Sequence, residues 1–285
     1  MKCDSPFYVL PKAGTEKVPV PCGRCPPCKQ RRVNQWVFRL LQEKKNYLDC
    51  HFVTLTYDTQ HVPITPNGFM TLRKKDFQDY IKRLRKLCPD ARLKYYVAGE
   101  YGSQNFRPHY HAIIFGVSDC SMFASAWSID GVSIGAIHIG NVTNDSIAYT
   151  MKYIDKSNFQ RKHIRDDRQP EFSLMSKGMG KNYVDDPQVV EYHRADLSRN
   201  YVTHVGGVRV SMPRYYRDRI YTEQERKEQV RLIEDSELRS MEKLREEHAC
   251  AYPNGKIDFF TWLEQKKHDR YRAFYSRQAL KPRSL

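Results

Sequence analysis

The segment Arg107–Gly116 constrains the fold of this chain most strongly. It reads Arg-Pro-His-Tyr-His-Ala-Ile-Ile-Phe-Gly, and its β-branched and aromatic residues predict a strand. Side chains alternate across a strand, so His109 and His111 share one face. Two imidazoles on one face can bind a divalent metal ion. Half-buried strands also carry His-x-His pairs that bind no metal, so neighbouring residues decide between the two interpretations.

Glu100 is the neighbouring residue that favours a metal site. It ends the preceding predicted strand, within Gly99-Glu100-Tyr101-Gly102. The short loop over residues 102–108 would fold the two strands into a hairpin and bring Glu100 near the histidines. Mg²⁺ and Mn²⁺ prefer oxygen among their ligands. We therefore expect His109, His111 and Glu100 to bind Mg²⁺ or Mn²⁺, which would polarise a phosphate for in-line attack.

A second candidate for chemistry is a pair of tyrosines. Tyr149 and Tyr153 are four residues apart in a segment predicted as a helix, which puts both phenols on one face. A tyrosine can be a covalent nucleophile, and Lys152 and Lys156 are placed to orient the phenol or a phosphate. The alternative is that both tyrosines are packing residues of an amphipathic helix.

The order of the predicted elements indicates an α+β fold. We expect helices over 29–47 and Lys74–Leu87, strands over Phe52–Tyr57, Leu93–Ala98, His111–Phe115 and Ile134–Ile139, a weaker amphipathic segment over Met122–Trp127, and a tyrosine helix from near Asn144 or Asp145 to about Lys156. This order predicts a ferredoxin-like (RNA-recognition-module-like) antiparallel sheet with helices on one face. We expect three segments: a Cys-rich, basic N-terminal segment (1–50), a core (51–160) and an extension (161–285) with a charged helix over 222–248.

The charge of the chain favours a polyanionic partner. Lys and Arg number 48 against 33 acids, a formal net charge of +15 with a pI of about 9.4. The 19 tyrosines could also stack on bases of single strands. A peripheral membrane binder or a merely basic protein would have the same composition. The residues expected to contact DNA are Arg83, Arg85, Lys86, Arg107 and Lys156.

No apolar run approaches the length of a membrane span, and the first residues lack the apolar core of a signal peptide. An intracellular location with reduced thiols is therefore expected. Four of the eight cysteines lie within the first 28 residues. Cys22-x2-Cys25-x2-Cys28, with Cys3, could form a four-thiolate zinc site. An iron–sulfur cluster and a tight turn with unliganded thiols are the alternatives.

Three motifs carry a resemblance to a known family. His109-Tyr110-His111 resembles the His–hydrophobe–His motif of HUH endonucleases, which initiate rolling-circle replication. Phe52–Tyr57 resembles their first motif, and Tyr149-x-x-Lys152-Tyr153 resembles their tyrosine motif. Within that family the chain is similar to the replication initiation proteins of gokushoviruses, a branch of the microviruses. The similarity covers most of residues 1–210 and includes Pro21–Cys28, Lys82–Arg85, Gly99–Gly102, Arg107–His111, Tyr149–Lys156 and Glu171–Ser176.

The resemblance implies an HUH-endonuclease fold and an enzyme that nicks and rejoins DNA. Such a protein cuts the viral strand of replicative-form DNA at the origin, stays on the 5′ phosphate through a tyrosine and later closes the displaced strand into a circle. It implies metal binding by His109, His111 and Glu100, and alternating nucleophiles at Tyr149 and Tyr153. The implied partners are phage DNA, a host polymerase and a host helicase in the bacterial cytoplasm. The chain contains no Walker-type phosphate loop, so no nucleotide cofactor is expected.

Two other functions fit part of the pattern. A non-catalytic single-stranded nucleic-acid binder would use the sheet as a stacking platform and form no covalent link to DNA. An HUH transposase would share the chemistry, but such enzymes usually have one tyrosine and a shorter chain. The tyrosine pair and the long flanks therefore argue against a transposase.

Overall fold

The structure, a computed structural model, describes residues 3–10, 16–102, 105–143, 146, 147, 150, 164–204 and 206–279. The strands are β1 (Phe7–Val9), β2 (Val18–Val20), β3 (Cys50–Thr56), β4 (Lys94–Tyr101), β5 (Pro108–Phe115), β6 (Ser128–Ile129), β7 (Val132–Ser133), β8 (Ile137–Asn141), β9 (Phe172–Met175), β10 (Tyr201–Thr203) and β11 (Arg209–Ser211). The helices are α1 (Pro26–Lys44), α2 (Lys74–Leu87), α3 (Ser121–Ala126), α4 (Asn182–Asp185), α5 (Pro187–Arg194), α6 (Arg214–Ile220), α7 (Glu223–Ala251) and α8 (Phe259–Ala279).

The chain forms two compact units. One comprises residues 32–186, and the other comprises residues 1–31 with 187–285. The units reflect proximity in space, and the division into three segments made from the sequence stays a prediction. Among the described helices, none is both long and apolar enough to cross a membrane.

A five-stranded antiparallel sheet forms the centre of the unit 32–186. The strand order is β8-β3-β5-β4-β9. Strands β3 and β4 are joined through α2 but separated by β5, which is the split β-α-β arrangement of ferredoxin-like proteins. The predicted α+β fold with an antiparallel sheet is confirmed. Strand β9 adds a fifth strand in a region whose sequence pattern predicted none.

One face of the sheet packs against α2. Val53, Leu55 and Tyr110 point to this face and are buried together with Phe77 and Leu84 of the helix. The predicted apolar face of α2 is therefore buried. Each large apolar side chain removed from water in this way contributes about 1.5–3 kcal/mol.

The other face packs against α1. Leu40 of α1 is fully buried with Tyr96, Ile113 and Phe115 of the sheet, and Trp36 stacks on Tyr96 with ring centroids 5.0 Å apart. The prediction that helices cover only one face is therefore wrong. The apolar stripe of α1 needs a surface to bury it, and the odd-numbered side chains of β5 supply that surface.

Further along this second face the apolar side chains give way to polar ones. Thr54 and Thr56 on β3, Glu100 on β4 and His109 and His111 on β5 all belong to the set of alternate residues that points this way. The fold thus positions the sequence-predicted ligands on the face that carries α1, and opposite α2.

The segment after β8 begins a helix at the predicted place. Thr143 accepts a bond from the Ser146 backbone N–H at 3.1 Å, and the Ser146 hydroxyl accepts one from the Thr143 N–H at 2.8 Å. These reciprocal bonds make Thr143 the N-cap, one residue before the predicted Asn144. Ser146, Ile147 and Thr150 are helical, and Ile147 is buried in the core with Leu40.

The other unit is largely helical in its C-terminal part. Helix α7 confirms the predicted charged helix and begins with a capping box between Thr222 and Glu225. Helix α8 was not predicted, because its apolar and charged residues follow no strong helical periodicity. Strands β10 and β11 form a short hairpin, and β1 pairs with β2.

Candidate active site

The hairpin of β4 and β5 brings the three predicted metal ligands together. Glu100 lies directly opposite His109, and Ala98 lies opposite His111. The Nε2 atom of His111 is 3.0 Å from the Glu100 Oε1 atom. The two imidazole rings have centroids 6.3 Å apart. The expected hairpin placement of Glu100 is therefore what the structure has.

Two threonines of β3 hold the imidazoles from behind. Thr54 lies opposite His111 and Thr56 lies opposite His109. The hydroxyl of Thr54 is hydrogen-bonded to Nδ1 of His111 at 3.1 Å, and that of Thr56 to Nδ1 of His109 at 2.9 Å. With Nδ1 engaged in this way, the Nε2 atom of each ring is the one available for a metal. The sequence alternation predicted the strand, but only its register shows this role of the threonines.

Aromatic stacking and a glycine shape the rest of the site. Phe52 stacks on His111 with ring centroids 5.9 Å apart and an angle of 10° between the planes. A Cβ atom added at Gly102 would lie 3.0 Å from Nε2 of His109. The missing side chain of Gly102 therefore leaves room beside that nitrogen, where a bound ion would need it.

The electrostatic setting keeps the site receptive to a cation. Burial lowers the pKa of His109, and the neighbouring charges of His111 and Arg107 lower it further against the opposing effect of Glu100. A neutral imidazole presents a lone pair to a metal. Two imidazole nitrogens and one carboxylate oxygen form a donor set that Mn²⁺ or Mg²⁺ can accept.

The four predicted cysteine ligands form a separate cluster in the other unit. The Sγ atoms of Cys3, Cys22, Cys25 and Cys28 all lie within 4.8 Å of one another. The Sγ atoms of Cys3 and Cys25 are 3.8 Å apart. A tetrahedral site with Zn–S bonds of about 2.3 Å requires sulfur atoms about 3.8 Å apart. The cluster therefore has the dimensions of a four-thiolate metal site.

Backbone N–H groups point at these sulfur atoms. Cys25 and Arg24 donate to Sγ of Cys22 at 3.3 and 3.4 Å, and Cys22 donates to Sγ of Cys3 at 3.2 Å. Gly23, between them, has a φ of 71°, which a glycine adopts at little cost. Burial alone would raise the pKa of Cys22, but the N–H donors of Cys25 and Arg24 lower it to about 6. The loop thus favours the thiolate form that binds metals.

Comparison with known proteins decides the family. Residues 50–158 match a family model described as that of the replication-associated protein ORF2. The chain is 31% identical over 218 residues to the replication-associated protein VP4 of Bdellovibrio phage phiMH2K, across 70% of this chain and 66% of that protein. It is 28% identical to the replication-associated protein ORF2 of Spiroplasma virus 4, across 72% of this chain and 68% of that protein.

The chain belongs to the replication-associated protein family of these small phages. A third relative, the replication-associated protein ORF4 of Chlamydia phage 1, is 23% identical across 70% of this chain and 53% of its own length. The aligned part thus spans less than two thirds of the Bdellovibrio and Chlamydia phage proteins. No solved structure matches the chain. The predicted resemblance to gokushovirus replication proteins is confirmed.

The predicted DNA contacts of this replication-associated protein lie in different places. Arg83, Arg85 and Lys86 are on α2, on the face of the sheet opposite the histidines. Arg83 donates to the Ala126 carbonyl at 2.7 Å, and so ties α2 to α3. These three residues do not line the candidate site. Their role in binding DNA stays a prediction.

Arg107 lies beside the site, but its guanidinium is engaged. It donates to the Tyr57 carbonyl at 2.8 Å and to the Thr59 hydroxyl at 3.2 Å, which ties the ends of β3 and β5 together. His138, which the sequence did not single out, lies opposite Thr54 on β8 and is exposed. Directly paired residues of antiparallel strands point to the same face, so His138 shares the face of the candidate ligands.

Tyr149, Lys152, Tyr153 and Lys156 lie outside the described residues. The part of the chain that matches the family model, residues 50–158, includes all four of them.

Proposed function

We propose that this protein nicks and rejoins one strand of phage DNA through a tyrosine–phosphate ester, and so initiates and terminates rolling-circle replication at the phage origin. The observation that carries this proposal is the juxtaposition of His109, His111 and Glu100 on one sheet face. The replication-associated names of three relatives support its place in DNA replication. The ferredoxin-like strand order supports an HUH-endonuclease fold.

In this proposal the imidazoles of His109 and His111 and the carboxylate of Glu100 hold a Mg²⁺ or Mn²⁺ ion. The bound ion supplies Lewis-acid polarisation of the scissile phosphate. Thr54 and Thr56 are positioning residues, because each fixes Nδ1 of one imidazole and directs Nε2 toward the site. The single carboxylate leaves a divalent site with net positive charge, which suits an anionic substrate.

Tyr149 and Tyr153 are the proposed nucleophiles. The phenolic oxygen attacks the scissile phosphorus, the bond from phosphorus to the 3′ oxygen breaks, and the 3′ oxygen leaves as a hydroxyl after taking up a proton. The product is a 5′-phosphotyrosyl ester, and attack by a 3′ hydroxyl reverses the reaction and restores the phenol. Lys152 orients the phenol or the phosphate. The burial of Ile147 on the sheet face that carries the histidines supports this placement of the tyrosine segment.

The proposed partners follow from this reaction. The protein acts on single-stranded and replicative-form phage DNA in the cytoplasm of the bacterial host. The free 3′ hydroxyl primes a host polymerase, and a host helicase unwinds the duplex. Arg85, Lys86, Arg107 and Lys156 remain proposed contacts to the DNA backbone, with Arg83.

We further propose that Cys3, Cys22, Cys25 and Cys28 bind a structural zinc ion. Four thiolates suit a closed structural zinc site, and the spacing of 3.8 Å between two of the sulfur atoms matches that geometry. Purified protein should contain one zinc per chain by inductively coupled plasma mass spectrometry. Iron and acid-labile sulfide in its place would indicate an iron–sulfur cluster.

A label-transfer assay tests the nicking proposal. Labelled single-stranded oligonucleotides that tile the phage genome are incubated with protein and Mn²⁺, then resolved on a denaturing protein gel. Wild type, Tyr149→Phe, Tyr153→Phe and the double variant are compared. Label that moves onto the wild-type protein and is lost in the double variant supports two interchangeable nucleophiles. DNA binding without labelling of any protein would overturn the proposal in favour of a non-catalytic binder.

A further inference from the structure

Exposed tyrosines and arginines form a row in the unit that contains α5 and the β10–β11 hairpin. The hydroxyls of Tyr192 on α5 and Tyr201 on β10 are 3.3 Å apart. The guanidinium of Arg199 lies 4.4 Å from the ring centroid of Tyr192, and that of Arg209 lies 4.5 Å from the ring centroid of Tyr201. The row therefore runs Arg199, Tyr192, Tyr201, Arg209, and we call it the Arg–Tyr row.

The two arginines of the row differ in their anchoring. Arg199 donates to the Tyr192 carbonyl at 2.8 Å and forms an ion pair with Asp196 at 3.4 Å. Arg209 is exposed on β11 and, among the residues that the structure describes, has no carboxylate within ion-pairing distance. The charge of Arg209 is thus available to an external anion.

Stacking on tyrosine prepares a guanidinium for phosphate. The aromatic ring covers one face of the planar group and attracts its charge. The N–H donors lie in the plane and stay directed outward, where they match two oxygens of a phosphate. A stacked arginine also loses less side-chain freedom on binding than a mobile one. Arg209 is therefore built to bind a phosphodiester.

The charge of the surrounding segment points to the same ligand. Residues 187–221 contain six arginines, no lysine and three acids, whereas residues 223–279 contain twelve basic and twelve acidic residues. The excess of positive charge is therefore confined to the segment that bears the row. The arginines are Arg194, Arg199, Arg209, Arg214, Arg217 and Arg219.

We propose that the Arg–Tyr row binds backbone phosphates of duplex DNA, with Arg209 as the principal contact. This surface is a second DNA contact, apart from the residues proposed for cleavage. The inference rests on the proposed function only in taking DNA as the ligand. Phosphate contacts position a protein on DNA without reading its sequence.

Salt dependence gives a direct count of such contacts. Each phosphate contact contributes about 0.9 to the slope of log K against log salt on duplex DNA and about 0.7 on single strands. In Arg209→Ala we expect the slope on a 30-base-pair duplex to fall by about 0.9 and the affinity at 0.1 M salt to fall roughly fivefold to tenfold. Tyr201→Leu, which removes the stack but keeps the charge, should lose part of this affinity.

The matched control is Arg231→Ala. Arg231 is exposed on α7 and ion-paired with Glu228 at 3.2 Å, within the electrically balanced part of the chain. Its removal should leave the slope unchanged. All variants are made with Tyr149→Phe and Tyr153→Phe so that covalent attachment does not enter, and circular dichroism verifies that each remains folded.

Three results would overturn the proposal. They are an unchanged slope in Arg209→Ala, an equal fall in Arg231→Ala, and a change confined to binding of anionic phosphatidylglycerol vesicles. A fall of about 0.7, seen on single strands and not on duplex, would overturn the choice of duplex as ligand. Failure of the label-transfer assay with a normal fall in slope would remove the nicking proposal and leave this one standing.

Discussion

The His–Glu site and the four-cysteine cluster gather their ligands in opposite ways. Cys22, Cys25 and Cys28 lie within one short loop and the start of α1, and only Cys3 comes from further away. Glu100 and His109, in contrast, meet because two strands of a sheet pair in one register. A loop with three thiols shows its ligand set in the sequence, whereas a register-built site depends on the whole sheet.

The two sites also differ in what surrounds their ligands. The four Sγ atoms are close enough to enclose an ion completely, which is the arrangement of a structural site. The His–Glu site has three protein ligands and a glycine, Gly102, where a side chain would press on His109. An incomplete protein coordination leaves positions for substrate oxygen atoms. We therefore expect the first site to govern stability and the second to govern catalysis.

The largest effect is expected from removing an active-site ligand. His111→Ala should lower the nicking rate by about 10²–10⁴-fold, because several kcal/mol of Lewis-acid stabilisation are lost. DNA binding and the melting temperature should stay near the wild-type values. Gel-based nicking rates and fluorescence anisotropy measure the two properties. His268→Ala, on the exposed side of α8, is the control. Wild-type nicking in His111→Ala would break the comparison.

The opposite pattern is expected at the cysteine cluster. Cys25→Ser should remove bound zinc and lower the melting temperature, because metal binding at such a site is part of the folding free energy. Manganese-dependent nicking per folded molecule should persist. Cys250→Ser, an exposed cysteine of α7 outside the cluster, should change neither property. Full zinc content in Cys25→Ser would show that the cluster is not the binding site.

A smaller effect is expected from the threonines behind the histidines. Thr54→Val and Thr56→Val keep the shape of the side chain but remove the bond to Nδ1, and should weaken Mn²⁺ affinity by about 10–100-fold. Thr54→Ser and Thr56→Ser should restore it. Titration of Mn²⁺ followed by electron paramagnetic resonance measures the affinity directly. Equal affinities in the valine and serine variants would assign the threonines to packing alone.

The smallest effect is expected at the glycine beside the site. Gly102→Ala places a methyl group 3.0 Å from Nε2 of His109, so nicking should need several-fold more Mn²⁺ to reach half its maximal rate. Gly140→Ala on β8 is the control, since its Cβ would be 3.9 Å from the nearest side-chain atoms. The same manganese dependence in both variants would show that space at Gly102 does not matter.

Much of the central sheet could be predicted from local pattern. The alternation in Phe52–Tyr57 and in His111–Phe115 predicted two strands, and the short loop after Glu100 predicted their hairpin neighbour. Helix α2 was predicted with the bounds that the structure has. These features depend on residues near one another in the chain, which is why sequence patterns reveal them.

The remaining features depend on distant residues. The packing of α1 on the second sheet face and the pairing of β9 with β4 join segments that are far apart in sequence. The bonds from Thr54 and Thr56 to the histidines follow from the pairing of β3 with β5, whose register local pattern does not specify. The Arg–Tyr row likewise needs the contact between α5 and β10.

Mapping the site of covalent attachment tests the central claim most directly. Wild-type protein is incubated with Mn²⁺ and the oligonucleotide that it cleaves, the adduct is digested with nuclease and trypsin, and peptides are sequenced by mass spectrometry. The account predicts a 5′-phosphonucleotide on Tyr149 or Tyr153 that is absent when His109→Ala replaces the wild type. An adduct on any other residue, or one formed equally by His109→Ala, would contradict it.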